Sequence, residues 1–179
     1  MSLTELRDKL PAYAKDLRLN LESVLSEGGA PGLTIKQIGA VALASAIASR
    51  HAPLTRAIET FAVGQLDATE CDGVRSAAAM MGMTNVYYRF THLVANKEYE
   101  TLRTSLRMNV MANPGIEKVA FEAASLAVSA INGCGRCLDS HEKTLRQHGV
   151  SAQGVQSIAR IASVIHAVAV TLEQAEAAA

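Results

Sequence analysis

Two thiols, Cys134 and Cys137, lie three residues apart, with His141 four residues after the second and Glu122 twelve before the first. A Cys-x-x-Cys at the start of a helix lets both sulfurs reach disulfide distance. The unpaired N–H groups and the helix dipole there favour thiolate, the nucleophilic form. Arg136 adds a nearby positive charge. Cys137 and His141 are i, i+4 neighbours on one helical face, so the imidazole is placed to take the thiol proton. Glu122 can orient that imidazole if its helix folds back antiparallel on the one carrying His141. Together these give a nucleophile, a base and an orienter. Attack by Cys137 on a peroxide would leave a sulfenic acid, and Cys134 would condense with it to a disulfide. An external dithiol must then reset the pair.

The same four side chains could instead bind zinc. Structural zinc sites, however, usually draw ligands from two separated clusters, and carboxylates are less typical there. A structural disulfide fits poorly with three cysteines and no secretory leader. Lys+Arg and Asp+Glu balance at 17 each, so charge gives no argument for nucleic acid or an anionic membrane. No apolar run approaches the ~20 residues that span a bilayer, and the N-terminus lacks a signal-peptide core. The expected compartment is the cytoplasm. Hydrophobic residues make up 49% and aromatics 4%, with abundant alanine, which predicts closely packed helices with small contact residues.

The elements that must hold the site read as helices throughout, with no sustained strand alternation. Ser2 with Glu5 and Thr34 with Gln37 are capping boxes, the first opening a helix to about residue 19 that Pro11 interrupts. Pro53 starts a helix to about 66, and Thr69 with Asp72 one to about 90. A helix is predicted near 97–111, and Asn113-Pro114 should open another over about 115–131, stopped by Asn132-Gly133. The next begins within the cysteine segment and runs to His148-Gly149. Ser151 begins the last, ending near 173, with a fraying tail from 175.

An ungapped offset of 81 matches Gly73-Val74-Arg75-Ser76 to Gly154-Val155-Gln156-Ser157. The expectation is one all-α domain over 1–179 with two similar helical lobes. A first repeat at 34–90 lacks active cysteines, and a second at 115–173 carries the redox site. At that offset Glu122, Cys134, Cys137 and His141 fall on Val41, Pro53, Arg56 and Thr60. Outside the site, Cys71 reads as a bystander. His51, His92 and His148 read as helix-end residues, and His166 as a core histidine. Met80, Met81 and Met83 read as core or subunit interface, as do Tyr87, Tyr88 and Phe90.

Glu122 followed by Cys134-Gly-Arg-Cys137-Leu-Asp-Ser-His141, with Asn85-Val-Tyr-Tyr-Arg-Phe90 in the first half, resembles the AhpD family of alkyl hydroperoxide reductases. That family lies within the carboxymuconolactone-decarboxylase-like superfamily. The resemblance covers nearly the whole chain. It implies an all-α homotrimer with antioxidant alkylhydroperoxidase activity toward organic hydroperoxides. It also implies reduction of a partner peroxiredoxin, AhpC, by a mixed disulfide through Cys137. Dihydrolipoamide would be the external donor, carried on a lipoylated acyltransferase and recharged by lipoamide dehydrogenase, with no bound cofactor or metal. Cys137 resembles the peroxidatic cysteine, Cys134 the resolving cysteine and proton donor, and Glu122 with His141 the proton relay. One member of that family has a histidine where this chain has Arg136.

Overall fold

Two helices buried on every side form the centre of the molecule. The computed structural model describes residues 2–178. Helix α3 (Ile35–Ser49) buries nine consecutive residues from Ile38 to Ala46. Helix α7 (Lys118–Asn132) buries ten, from Ala120 to Ser129. A helix apolar around its whole circumference belongs in a core, and α3 and α7 pack on each other. Alanine, serine and Gly39 dominate the α3 stretch, which lets neighbouring backbones approach. Phe121 is the largest fully buried side chain, contributing about 1.5–3 kcal/mol of burial.

Around this pair lie α1 (Leu3–Asp8), α2 (Lys15–Val24), α4 (Ala52–Ala62), α5 (Ala68–Leu93), α8 (Gly135–Gln147) and α9 (Ala152–Ala177). A one-turn α6 (Glu98–Thr101) lies on the connection to α7. There is no strand among the described residues. Among the described residues, helix α9 alone is long and apolar enough to span a bilayer by length and composition, against the sequence expectation. Its apolar stripe, Ile158, Ile161, Ile165, Val168 and Leu172, is core, packed on α2, α3 and α7.

Helices α3, α4 and α5 correspond in order to α7, α8 and α9: α3 and α7 each have 15 residues, α5 and α9 each 26. Helix α3 packs on α4, α5 and α9, and α7 packs on α8, α9 and α5. The ungapped offset needs correction. The N-caps Thr34 and Glu117, and likewise His51 and Cys134, are 83 apart. Gly73 and Gly154 keep 81, because each meets the loop before the opposite central helix. A Cβ on Gly73 would lie 2.8 Å from the Pro114 carbonyl, and one on Gly154 2.8 Å from that of Gly32. The site residues therefore correspond to Gly39, His51, Leu54 and Ile58, all buried. The halves differ in one contact that matters: α8 leans on α5, whereas α4 leans on α1.

Local signals set most helix ends. The capping boxes at Ser2 and Thr34 form as expected. The long helix α5 starts earlier than predicted, because Asp67 with Glu70 is itself a capping box and precedes Thr69. The predicted 97–111 helix reduces to α6 and a single 3-10 turn at Asn109–Met111, neither with a buried residue to pack. Helix α7 starts at Lys118, not after Asn113, because Gly115 adopts a left-handed φ of 75° and turns the chain first. Pro11 replaces the middle of the first helix by a 3-10 turn. Helix α9 continues to Ala177, so the predicted tail is helical there, and Ala179 lies outside the described residues. His166 is exposed, not core, because it faces away from the Ile161–Val168 stripe.

Candidate functional site

Gly133 ends α7 in a left-handed conformation, φ 68°, and reverses the chain. Cys134 follows as the N-cap of α8. Its N–H donates to the Ser129 carbonyl at 3.1 Å, and its carbonyl accepts from Leu138 N–H at 3.0 Å. Cys137 is the third residue of the helix, so its own N–H lies in the turn that lacks intrahelical acceptors. The two sulfurs are at disulfide distance, with Cα atoms 5.3 Å apart. Asn85 of α5 holds the reversal from outside. It accepts from Asn132 Nδ2 and donates to Ser129 Oγ, both at 3.0 Å.

Because α8 folds back along α7, Glu122 and His141 meet directly. His141 Nδ1 lies 2.7 Å from Glu122 Oε2, and both side chains are buried. The other oxygen, Oε1, lies 2.6 Å from Lys118 Nζ, one helical turn earlier. A carboxylate on an all-buried helix needs such partners. Burial pushes the Glu122 carboxyl pKa up, but the hydrogen bonds from His141 and Lys118 outweigh it and hold it below the usual 4.5. Glu122 is therefore the anion that orients the ring and favours a proton on Nδ1. Of the serines beside it, Ser129 joins the Asn85 network, and Ser125 is buried with no hydrogen-bond partner for its hydroxyl.

This lowered value has a consequence for stability. A depressed carboxyl stabilises the fold fully above its unfolded value and loses that contribution as pH falls through the folded one. Urea unfolding should show wild-type stability decreasing below about pH 4.5. Glu122→Gln should flatten that acid limb, and an unchanged limb would contradict the assignment.

A cavity of about 630 Å³ opens beside the pair. Helix α5 supplies Met81, Thr84 and Tyr88, and the loop before α7 supplies Met108 and Met111. Helix α8 supplies Arg136, Cys137 and His141, but Cys134 does not reach the wall. Cys137 is 6% exposed and Cys134 0%. Arg136, expected to sit by the thiols, has its guanidinium 5.7 Å from the centre of the Tyr88 ring. The cavity thus offers one sulfur to a pocket of mixed polarity lined by three methionines and keeps the other behind it.

The structure brings together all four residues singled out in the sequence. It adds Lys118, Met81, Tyr88 and Met108. Lys118 was legible as an i, i+4 partner of Glu122. Met81 had been read as core or interface, yet its sulfur lies 3.2 Å from His141 Nε2. Cys71 is buried and free, and desolvation raises its thiol pKa, which disfavours the thiolate. His51 caps α4 by accepting from Leu54 N–H at 3.2 Å.

Residues 97–179 match the model of the carboxymuconolactone decarboxylase family. Alkyl hydroperoxide reductase AhpD of Brucella suis is 48% identical over 176 residues, covering 98% of this chain and 99% of that protein. AhpD of Frankia alni is 51% identical over 176 residues, covering 98% and 94%. AhpD of Streptomyces griseus subsp. griseus is 52% identical over 173 residues, covering 97% and 96%.

Proposed function

Because the chain belongs to the AhpD family of alkyl hydroperoxide reductases, we propose that it reduces organic hydroperoxides by a dithiol–disulfide cycle on Cys137 and Cys134, fed by dihydrolipoamide. The observation that carries this reading is the placement of Cys137 on the cavity wall, with Cys134 bonded behind it and the Glu122–His141 pair beside it.

The cycle runs in four displacements. Cys137 thiolate attacks the terminal peroxide oxygen, the O–O bond breaks, and the alkoxide takes a proton and leaves as alcohol. Cys134 thiol then attacks the Cys137 sulfenic acid, forms the disulfide and expels water. A dithiol attacks Cys137, the sulfur the cavity exposes, and Cys134 leaves as thiolate. The second donor thiol then displaces Cys137 from the mixed disulfide. Glu122 and His141 hold and move the protons these steps require.

The same reading extends to a partner peroxiredoxin, AhpC, which would form its mixed disulfide with Cys137. The electron source would be a lipoylated acyltransferase recharged by lipoamide dehydrogenase, in the cytoplasm. An interface such as a homotrimer would need is supported by Val86, Phe90 and Leu93 of α5, exposed at i, i+4 and i+7. The zinc-stabilised alternative is not favoured by the donor set. The cysteines bond each other, Glu122 bonds His141 and Lys118, and among the described residues no three His, Cys, Asp or Glu converge as a ligand group.

The test supplies dihydrolipoamide, lipoamide dehydrogenase, NADH and an alkyl hydroperoxide to the wild-type protein. NADH consumption that depends on all components is expected. No consumption by protein with demonstrably reduced thiols would overturn the peroxidase reading. Restoration only on adding the peroxiredoxin would assign the chain an electron-transfer role instead.

A further inference from the structure

His141 Nδ1 is occupied by Glu122, so the chemistry of the relay depends on what faces Nε2. That group is the Met81 sulfur, 3.2 Å away. A thioether can accept a hydrogen bond but cannot donate one. Three further donors surround the same sulfur: Ser129 Oγ at 3.6 Å, Asn85 Nδ2 at 3.6 Å and Thr84 Oγ1 at 3.7 Å. The Ser129 hydroxyl, which accepts from Asn85, donates to this sulfur, whereas the other two have closer acceptors. Asn85 donates to Ser129 at 3.0 Å, and Thr84 donates to the Met80 carbonyl at 2.9 Å. His141 has the shortest approach to the sulfur and no other partner at Nε2.

We propose that the Met81 thioether is a positioning residue for His141, accepting the bond from Nε2–H and holding the relay proton on that nitrogen while the two cysteines are paired. This deepens the dithiol-cycle reading and rests on it for its catalytic meaning. With the carboxylate of Glu122 on one side and an acceptor-only sulfur on the other, both ring nitrogens face acceptors. A proton held on Nε2 is then available when the disulfide opens and Cys134 leaves as thiolate. The position of Met81 on α5 also explains why α8 leaning on that helix matters to chemistry.

The charged and titratable groups around His141 are Glu122 of α7 with Lys118 behind it, Cys137 on its own helix, and Arg136 and Tyr88 on the cavity wall. None of these faces Nε2 at hydrogen-bond distance.

The test uses the oxidised full chain and long-range nitrogen–proton NMR of the His141 ring, assigned by its loss in His141→Asn. Wild type is expected to show a protonated Nε2. Met81→Leu, close in volume but without an acceptor, should move the Nε2 nitrogen resonance to the unprotonated position. Met81→Gln, which keeps an acceptor at similar reach, should leave it protonated. In turnover, Met81→Leu should lower kcat about tenfold with KM unchanged, and Met81→Gln should recover most of the loss. An unprotonated Nε2 in wild type overturns the proposal, whatever the variants do. So does a Leu variant with an unchanged resonance, or equal losses in both variants. If wild type shows no peroxidase activity while the NMR pattern holds, the functional reading fails and the Met81 contact stands.

Discussion

Cys137→Ser is expected to reduce hydroperoxide turnover by about 10³-fold or more, to background. The reason is positional as well as chemical. Cys137 is the thiol at the cavity wall and at the helix N-terminus, and Cys134 is fully buried behind it. A hydroxyl in its place is not ionised near neutrality and forms no sulfenic acid. Cys134→Ser should behave differently. Its Cys137 can still attack one peroxide, so a burst of one alcohol per subunit is expected, followed by arrest. Dimedone should trap the stalled sulfenic acid on Cys137 by mass spectrometry. A burst from Cys137→Ser, with none from Cys134→Ser, would reverse the assigned roles. Equal steady turnover in both would remove the disulfide from the cycle.

The second large effect belongs to the buried acid–base pair. His141→Asn should lower kcat/KM by about 10²–10⁴-fold, the range for loss of a positioned proton-transfer group. Glu122→Gln keeps the shape but removes the anion that favours a proton on Nδ1 and pairs with Lys118. Its loss should be smaller than that of His141→Asn, and the double variant should be no worse than His141→Asn alone, because both act through one ring. Steady-state kinetics of the three variants checks this. Fully additive losses would show that Glu122 works independently of His141.

The convergence of the four candidate residues was legible because their relation is local. Cys134, Cys137 and His141 lie within about two turns of one helix, and the Asn-Gly reversal brings α8 back along α7 to Glu122. Asp67 with Glu70 was also legible in principle, but Thr69 with Asp72 offered a competing signal two residues on. The stretch from 98 to 112 misled because helix-compatible residues there bury nothing, and propensity without a packed face does not fix a helix. Met81 was out of reach for a different reason. It stands 60 residues from His141, and only the packing of α8 on α5 brings its sulfur to the ring. A methionine in an apolar helix carries no mark that separates a core residue from the acceptor of a relay proton.

The most direct measurement is a count of thiols against peroxide. Fully reduced wild-type protein is mixed with one equivalent of alkyl hydroperoxide per subunit, with no external donor, and free thiols, alcohol and peptide masses are quantified. The dithiol cycle predicts two thiols lost and one alcohol formed per subunit, with a Cys134–Cys137 disulfide and Cys71 still free. Unconsumed peroxide with all three thiols intact, or thiol loss without that disulfide, would contradict it.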